Sequence, residues 1–396
     1  MADLKTDLLR RLDEKSERMV AIRHYLHENP EISWQEEKTA DYIAEFYQDL
    51  DCQVTRNVGD GYGIVVDIDS GKAGRTLALR ADFDALAIQE ETDVSYKSQV
   101  NGAMHACGHD AHTAYMLVLA ETLIELKDQW TGKIRIIHQN AEEVTPGGAI
   151  GMVEAGAVEG VDAIFGIHVM ATQKLGDVVY CPGNAQTGRG NLELKITGRG
   201  GHASSPHEAK DAIVAGAYFV TQLQTVVSRS LSPFEIASVT VSKFDGRGPI
   251  NAINGEVDIA VDLRAMSSET QKTVEQRIMD LLEGIKASFG VEYDAKFTYD
   301  YPVLYNDTEL GALYEQSMNK SEIPEIKHFG QCPPQAPSED FAHFANQVPG
   351  LFFYVGCTPE DREMTSHHNP KFYCDDASVL IAAKTMGAFD LDYLKS

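Results

Sequence analysis

Three stretches decide the fold: TLALR at residues 76–80, AHTAYMLVLAETLIELK at residues 111–127 and KIRIIHQ at residues 133–139. Two short apolar runs read as strands, and the long one between them as a helix. The same grammar continues outward. Tyr62–Asp69 and Ala163–His168 read as further strands, with a short helix around Ala149–Glu154. Residues 4–28 place Leu8, Leu9, Leu12, Met19, Ile22 and Leu26 at helical spacing, and residues 37–49 give a second amphipathic helix. Strands alternating with helices predict an α/β domain with a largely parallel central sheet and flanking helices.

The grammar changes near Gly183. Strand patterns at Asn191–Thr197, Glu235–Phe244, Glu256–Arg264 and Val291–Thr298 are interleaved with helices at Glu208–Ser228 and Ser268–Ser288. That order, β-α-β-β-α-β, is the split unit of ferredoxin-like α+β domains. The expectation is a small domain over residues 186–298 inserted into a larger one made of residues 1–185 and 299–396. The length of 396 residues suits two domains.

With 34 basic and 60 acidic residues the formal charge is −26. Such a surface repels nucleic-acid backbones and anionic lipid, so neither is expected as a partner. No apolar run is long enough to cross a bilayer, and the first seven residues lack the pattern of a signal peptide. Six scattered cysteines read as free thiols in a reducing compartment, which predicts a cytoplasmic location.

Chemistry concentrates at Met104-His105-Ala106-Cys107-Gly108-His109-Asp110-Ala111-His112. A thiol and an imidazole two residues apart, ahead of a helix, are a compact pair of metal-ligand types. The competing reading is a buried cysteine, a capping aspartate and incidental histidines. Glu142-Glu143 follows the strand at Lys133–Gln139, where one carboxylate could bind metal and the other shuttle a proton. Asp82 and Asp84 follow another strand, His168 closes a third, and His367-His368 come after Leu351–Gly356. Ligand-type groups recurring beyond the C-terminal ends of several strands converge where open α/β sheets place their sites. No phosphate loop, dinucleotide fingerprint or serine-hydrolase elbow is present, which leaves metal-assisted hydrolysis.

Taken together, these stretches resemble the M20 metallopeptidase family, in its amidohydrolase branch of hippurate, N-acyl-amino-acid and auxin-conjugate hydrolases. The resemblance spans nearly the whole chain. It rests on residues 23–31 (RHYLHENPE), 79–86 (LRADFDAL), 104–112, 141–143 (AEE), 200–203 (GGHA), 338–341 (SEDF) and 368–370 (HNP). It implies two divalent ions, zinc or manganese with cobalt also suited, bridged by Cys107 and completed by His109, Glu143, His168 and His368. The adjacent His367 leaves the last ligand ambiguous, and the His-x-Pro pattern favours His368. Glu142 would be the general base and Asp84 a carboxylate orienting a ligand. The inserted domain resembles the family's lid and dimerisation domain, where His202, Asn254 and Arg264 match substrate contacts and His202 would also serve the developing oxyanion. The implied activity is hydrolysis of the amide bond of N-acyl amino acids or small peptides, in a homodimer joined through the lid. A dipeptidase or aminopeptidase on the same scaffold is the alternative, and a non-catalytic binding protein a remote one.

Overall fold

The computed structural model describes residues 3–396 and divides into two compact units. The first comprises residues up to Ala185 together with Tyr305–Pro333 and Asp340–Ser396; the second comprises Gln186–Leu304 and Pro334–Glu339.

The first unit is built on an eight-stranded sheet whose central strands, Lys133–Gln139, Thr76–Asp82, Ala163–Lys174 and Gly350–Thr358, run parallel side by side. Antiparallel pairs flank them, so the sheet is largely parallel, as the alternating pattern predicts. The helix His109–Glu125 is buried on nearly every side, which is why its sequence is apolar all round rather than striped. Leu8, Leu12, Met19, Leu26, Leu117 and Phe389 share one large core with the strands Ile64–Asp69, Thr76–Asp82 and Ala163–Lys174. Residues 4–28 form two helices rather than one, Leu4–Glu14 and Ser16–Glu28, with the break at Lys15. Lys15 there reaches Glu121 and Glu125 on the buried helix. The strands Asp177–Tyr180 and His328–Gln331 are additions that four-residue patterns did not disclose.

Register brings the chemistry to one edge. Asp82 pairs with Gln139, so Asp84 and Glu142-Glu143 emerge beyond the same ends of neighbouring parallel strands. Tyr354 pairs with His168 on the other side.

The second unit has a four-stranded antiparallel sheet in the order Ala237–Asp245, Glu256–Ala265, Gly188–Thr197, Glu292–Tyr301. The helices Ala212–Ser230 and Ser268–Phe289 bury Phe219, Leu223, Ile278 and Leu282 against it. This unit extends to Leu304 and recruits residues 334–339, beyond the 186–298 expected from the pattern. The reason is local: Thr187 donates to Ala336 O at 2.6 Å and Arg264 to Ser338 at 2.8 Å, contacts with no sequence periodicity. Among the described residues, no helix is long and apolar enough to cross a membrane.

Candidate metal centre

The stretch between the strand Thr76–Asp82 and the helix His109–Glu125 ends at Gly108, which holds φ +93° as the helix's N-cap. A Cβ there would lie 2.3 Å from Val169 Cγ2 and face a left-handed backbone, so only glycine fits. Through that turn Cys107 and His109 enter one site from either side of it.

His109 donates through Nδ1 to Asp84 Oδ1 at 3.0 Å, which leaves Nε2 as the nitrogen available to a metal. Nε2 is buried without a hydrogen-bond partner, as is Glu143 Oε1, 3.7 Å away. Burial alone would depress His109, but Asp82, Asp84 and Glu143 outweigh it and raise the imidazole to about 10. Asp84 is also held by Ser33 Oγ at 2.7 Å and by the Glu143 amide at 3.1 Å; burial would raise its carboxyl, but His109 and Ser33 hold it below the usual range.

His168 lies at the middle of a long strand, not at a strand end as expected. Its Nδ1 donates to Val169 O at 2.7 Å, so Nε2 presents its lone pair 3.4 Å from Cys107 Sγ. Burial, then the neighbouring histidines, keep this ring neutral. Burial and the carboxylates Glu143 and Glu142 push the Cys107 thiol well above its usual range. A thiol so placed becomes a thiolate only beside a strong positive charge, which a divalent cation supplies.

The two adjacent histidines play different parts. His367 accepts from the Ala171 amide through Nε2 at 3.2 Å, so its Nδ1 carries the proton and faces Cys107 Sγ at 3.5 Å. Both ring nitrogens are thereby used. His368 instead sets Nε2 3.1 Å from Glu143 Oε2, on a residue held at φ +60°. Of the two, His368 is the one grouped with Cys107 and Glu143.

Two three-residue groups contain Cys107, Cys107–His109–His168 and Cys107–Glu143–His368, each with candidate ligand atoms within 4.8 Å of one another. Glu142 and Glu143 form a further group with His109. Paired orphan atoms in a buried setting, with thiol, imidazole and carboxylate donors, fit divalent transition ions. A fourth grouping, Asp82–His109–His112, fits poorly as a metal site. Asp82 is already engaged by Arg80 and by His112 Nδ1 at 2.6 Å, while His112 Nε2 accepts from the Val169 amide. These are buried supports that spacing alone does not distinguish from ligands. Ser33 and Glu36 also pass unnoticed in the sequence, because a serine and a glutamate before a helix look like ordinary capping residues. His202, Asn254 and Arg264, the expected substrate contacts, lie in the second unit. There His202 Nδ1 meets Ser204 Oγ at 2.7 Å, Asn254 donates to Arg247 O at 3.2 Å and Arg264 grips Asp262.

Residues 78–389 match the family described as Peptidase family M20/M25/M40. The chain belongs to that family. Among its M20 relatives, the N-acyl-L-amino acid amidohydrolase of Geobacillus stearothermophilus is 37% identical over 76% of this chain and 82% of its own. A solved structure from methicillin-resistant Staphylococcus aureus, provisionally assigned as an aminohydrolase, is 52% identical with a TM-score of 0.96, covering 98% of this chain and 100% of that one. The YXEP protein of Bacillus subtilis, described as a dinuclear metal binding peptidase from the M20 family, is 26% identical with a TM-score of 0.85 over 97% and 99% of the two chains. The amidohydrolase resemblance read from the motifs is thus borne out, and the chain is a hydrolase of this family.

Proposed function

We propose that this M20 hydrolase cleaves the amide bond of N-acyl amino acids, with two divalent ions held by Cys107, His109, Glu143, His168 and His368. The observation that carries this reading is the membership of Cys107 in two of the three-residue groups, the arrangement a bridging ligand requires. When bound, such ions acidify a water and polarise the amide carbonyl. Glu142, buried beside His109 and Glu143, takes the proton from the attacking water and delivers it to the leaving nitrogen. Asp84 holds the His109 ring and the Glu143 amide in place. His202 donates to the carbonyl oxygen as charge develops on it, a contribution typically about 3 kcal/mol, and Asn254 and Arg264 contact the substrate. Zinc or manganese, with cobalt also suited, matches this donor set. The compartment we propose is the cytoplasm, which keeps all six free cysteines reduced.

The second unit is proposed as a lid and as the seam of a homodimer. Its strand Ala237–Asp245 is a sheet edge, and Ile213, Val214, Tyr218 and Phe244 are exposed on the same unit.

The deciding experiment strips metal with a chelator, restores zinc, manganese or cobalt singly, and screens N-acetyl, N-benzoyl and dipeptide substrates. Metal-dependent release of an amino acid from N-acyl substrates is expected. Turnover of dipeptides alone would transfer the proposal to a peptidase, and metal-independent turnover would end it.

A further inference from the structure

Ala141, immediately before Glu142, sits at φ +51°, a left-handed conformation that costs any residue with a Cβ. Nothing within the strand Lys133–Gln139 explains why the chain turns this way. The support comes from far away in sequence. The Ala141 amide donates to Glu36 Oε1 at 2.8 Å, and Glu36 is fully buried. Three residues earlier, Ser33 donates to Asp84 Oδ2, the same oxygen that accepts the Glu143 amide. The amides on both sides of Glu142 are therefore held by buried carboxylates tied to residues 33–36. That segment is itself constrained, since Trp34 lies at φ +69°.

We propose that Glu36 is a positioning residue, holding through the Ala141 amide the left-handed turn that presents Glu142 and Glu143. Its hydrogen bonds are with backbone amides, and the one from Ala141 is the link to Glu142 and Glu143. Burial and the Asp84 carboxylate push Glu36 up to about 7, against backbone donors that pull it down. Either protonation state keeps an acceptor for the amide. Position and not charge is what the residue supplies, so glutamine should replace it.

The inference rests on Glu142 and Glu143 having the roles proposed above, and its test can be separated from that reading. Glu36→Ala, Glu36→Gln, Ala141→Gly and the Glu36→Ala/Ala141→Gly pair would be compared at equal metal content, measured by mass spectrometry. In Glu36→Ala, kcat should fall about 100-fold with KM within about twofold, the scale of a misplaced catalytic group. Glu36→Gln should stay within about fivefold of the parent, because the acceptor is kept. Glycine adopts the left-handed backbone freely, so Ala141→Gly should recover about tenfold in the Glu36→Ala background. A general loss of structure would lower the melting temperature and would not respond to glycine. Amide hydrogen exchange of the 138–148 segment reads the same clamp without any substrate. It should quicken in Glu36→Ala and return to the parent rate in Glu36→Gln. Unchanged exchange and kcat in a folded, metal-loaded Glu36→Ala chain, or a loss that glycine does not relieve, would overturn the proposal. A parent enzyme inactive on every amide, with the exchange pattern as stated, would sink the amidase reading and leave the clamp standing.

Discussion

At position 107 a serine could still meet His367, but it would make a poor bridge between the two cations proposed above. Cys107→Ser is expected to lower bound metal and turnover together, since a hydroxyl is a poor bridging ligand at neutral pH. Full metal occupancy in an inactive Cys107→Ser chain would remove the ligand role. Glu142→Gln is expected to do the opposite: both ions stay while turnover falls about 1,000-fold, the upper part of the range for a proton-transferring group. Metal analysis alongside kcat separates the two cases. If Glu142→Gln keeps its activity, the base lies elsewhere and Asp84 becomes the next candidate.

The helix His109–Glu125 carries the site at one end, and its first turn is anchored by a buried charge network. Asp110 accepts from Arg23 at 3.1 Å and from His27 at 2.9 Å, and the far nitrogen of His27 faces Glu90 at 3.4 Å. Burial would lower His27, but Asp110 and Glu90 raise it from 6.5 to about 9. The neighbouring His105 goes the other way, to about 4 through burial, so it adds no third positive charge beside Arg23 and His27. A folded-state value above the unfolded one means stability fully present below about pH 6.5 and lost as pH rises through about 9. The shift corresponds to roughly 3 kcal/mol at most. The melting temperature should therefore fall between pH 7 and 9.5, and His27→Gln should flatten that slope. An equal slope in both proteins would exclude His27 as the titrating group. The turn ahead of the same helix gives a second check. Gly108→Ala adds a Cβ against Val169 on a left-handed backbone, and should cost about 2 kcal/mol or more in urea unfolding.

For the whole molecule the expectation is a twofold dimer through the second unit, despite the net charge of −26. Tyr218 is 55% exposed and Val214 41% exposed on one helix face of the unit whose sheet ends in the edge strand Ala237–Asp245. Charging that face, with Val214→Asp and Tyr218→Asp together, should yield monomers in sedimentation analysis, whereas a parent that is already monomeric would refute the seam. Co-expressed Glu142→Gln and His202→Ala chains then show whose site His202 serves. If it acts on the partner, random pairing should restore about a quarter of parental activity, because about half the dimers are mixed and each keeps one intact site. No recovery in verified mixed dimers would place the action of His202 within its own chain.

Much of this molecule was legible before folding. The strand at Lys133–Gln139 matches its pattern residue for residue, and the β-α-β-β-α-β order of the second unit is found in its sheet. Periodic burial writes itself into sequence, because each exposed or buried face must repeat along an element. The clustering of thiol, imidazole and carboxylate groups at residues 104–112 and 142–143 was legible too, although His168 proves to lie mid-strand. Other features have no such signature. Which of His367 and His368 turns toward Glu143 depends on a backbone at φ +60° and on the Ala171 amide occupying its neighbour. That Asp82 and His112 are supports, while Cys107 and His109 can be ligands, depends on which lone pairs other groups already occupy. Glu36 and Ala141 meet across more than a hundred residues. The sequence by itself determined the elements and the chemical inventory, because both are local properties of the chain. Only the tertiary structure decided which nitrogen or oxygen remains available, because hydrogen-bond saturation is settled by neighbours that folding brings from elsewhere.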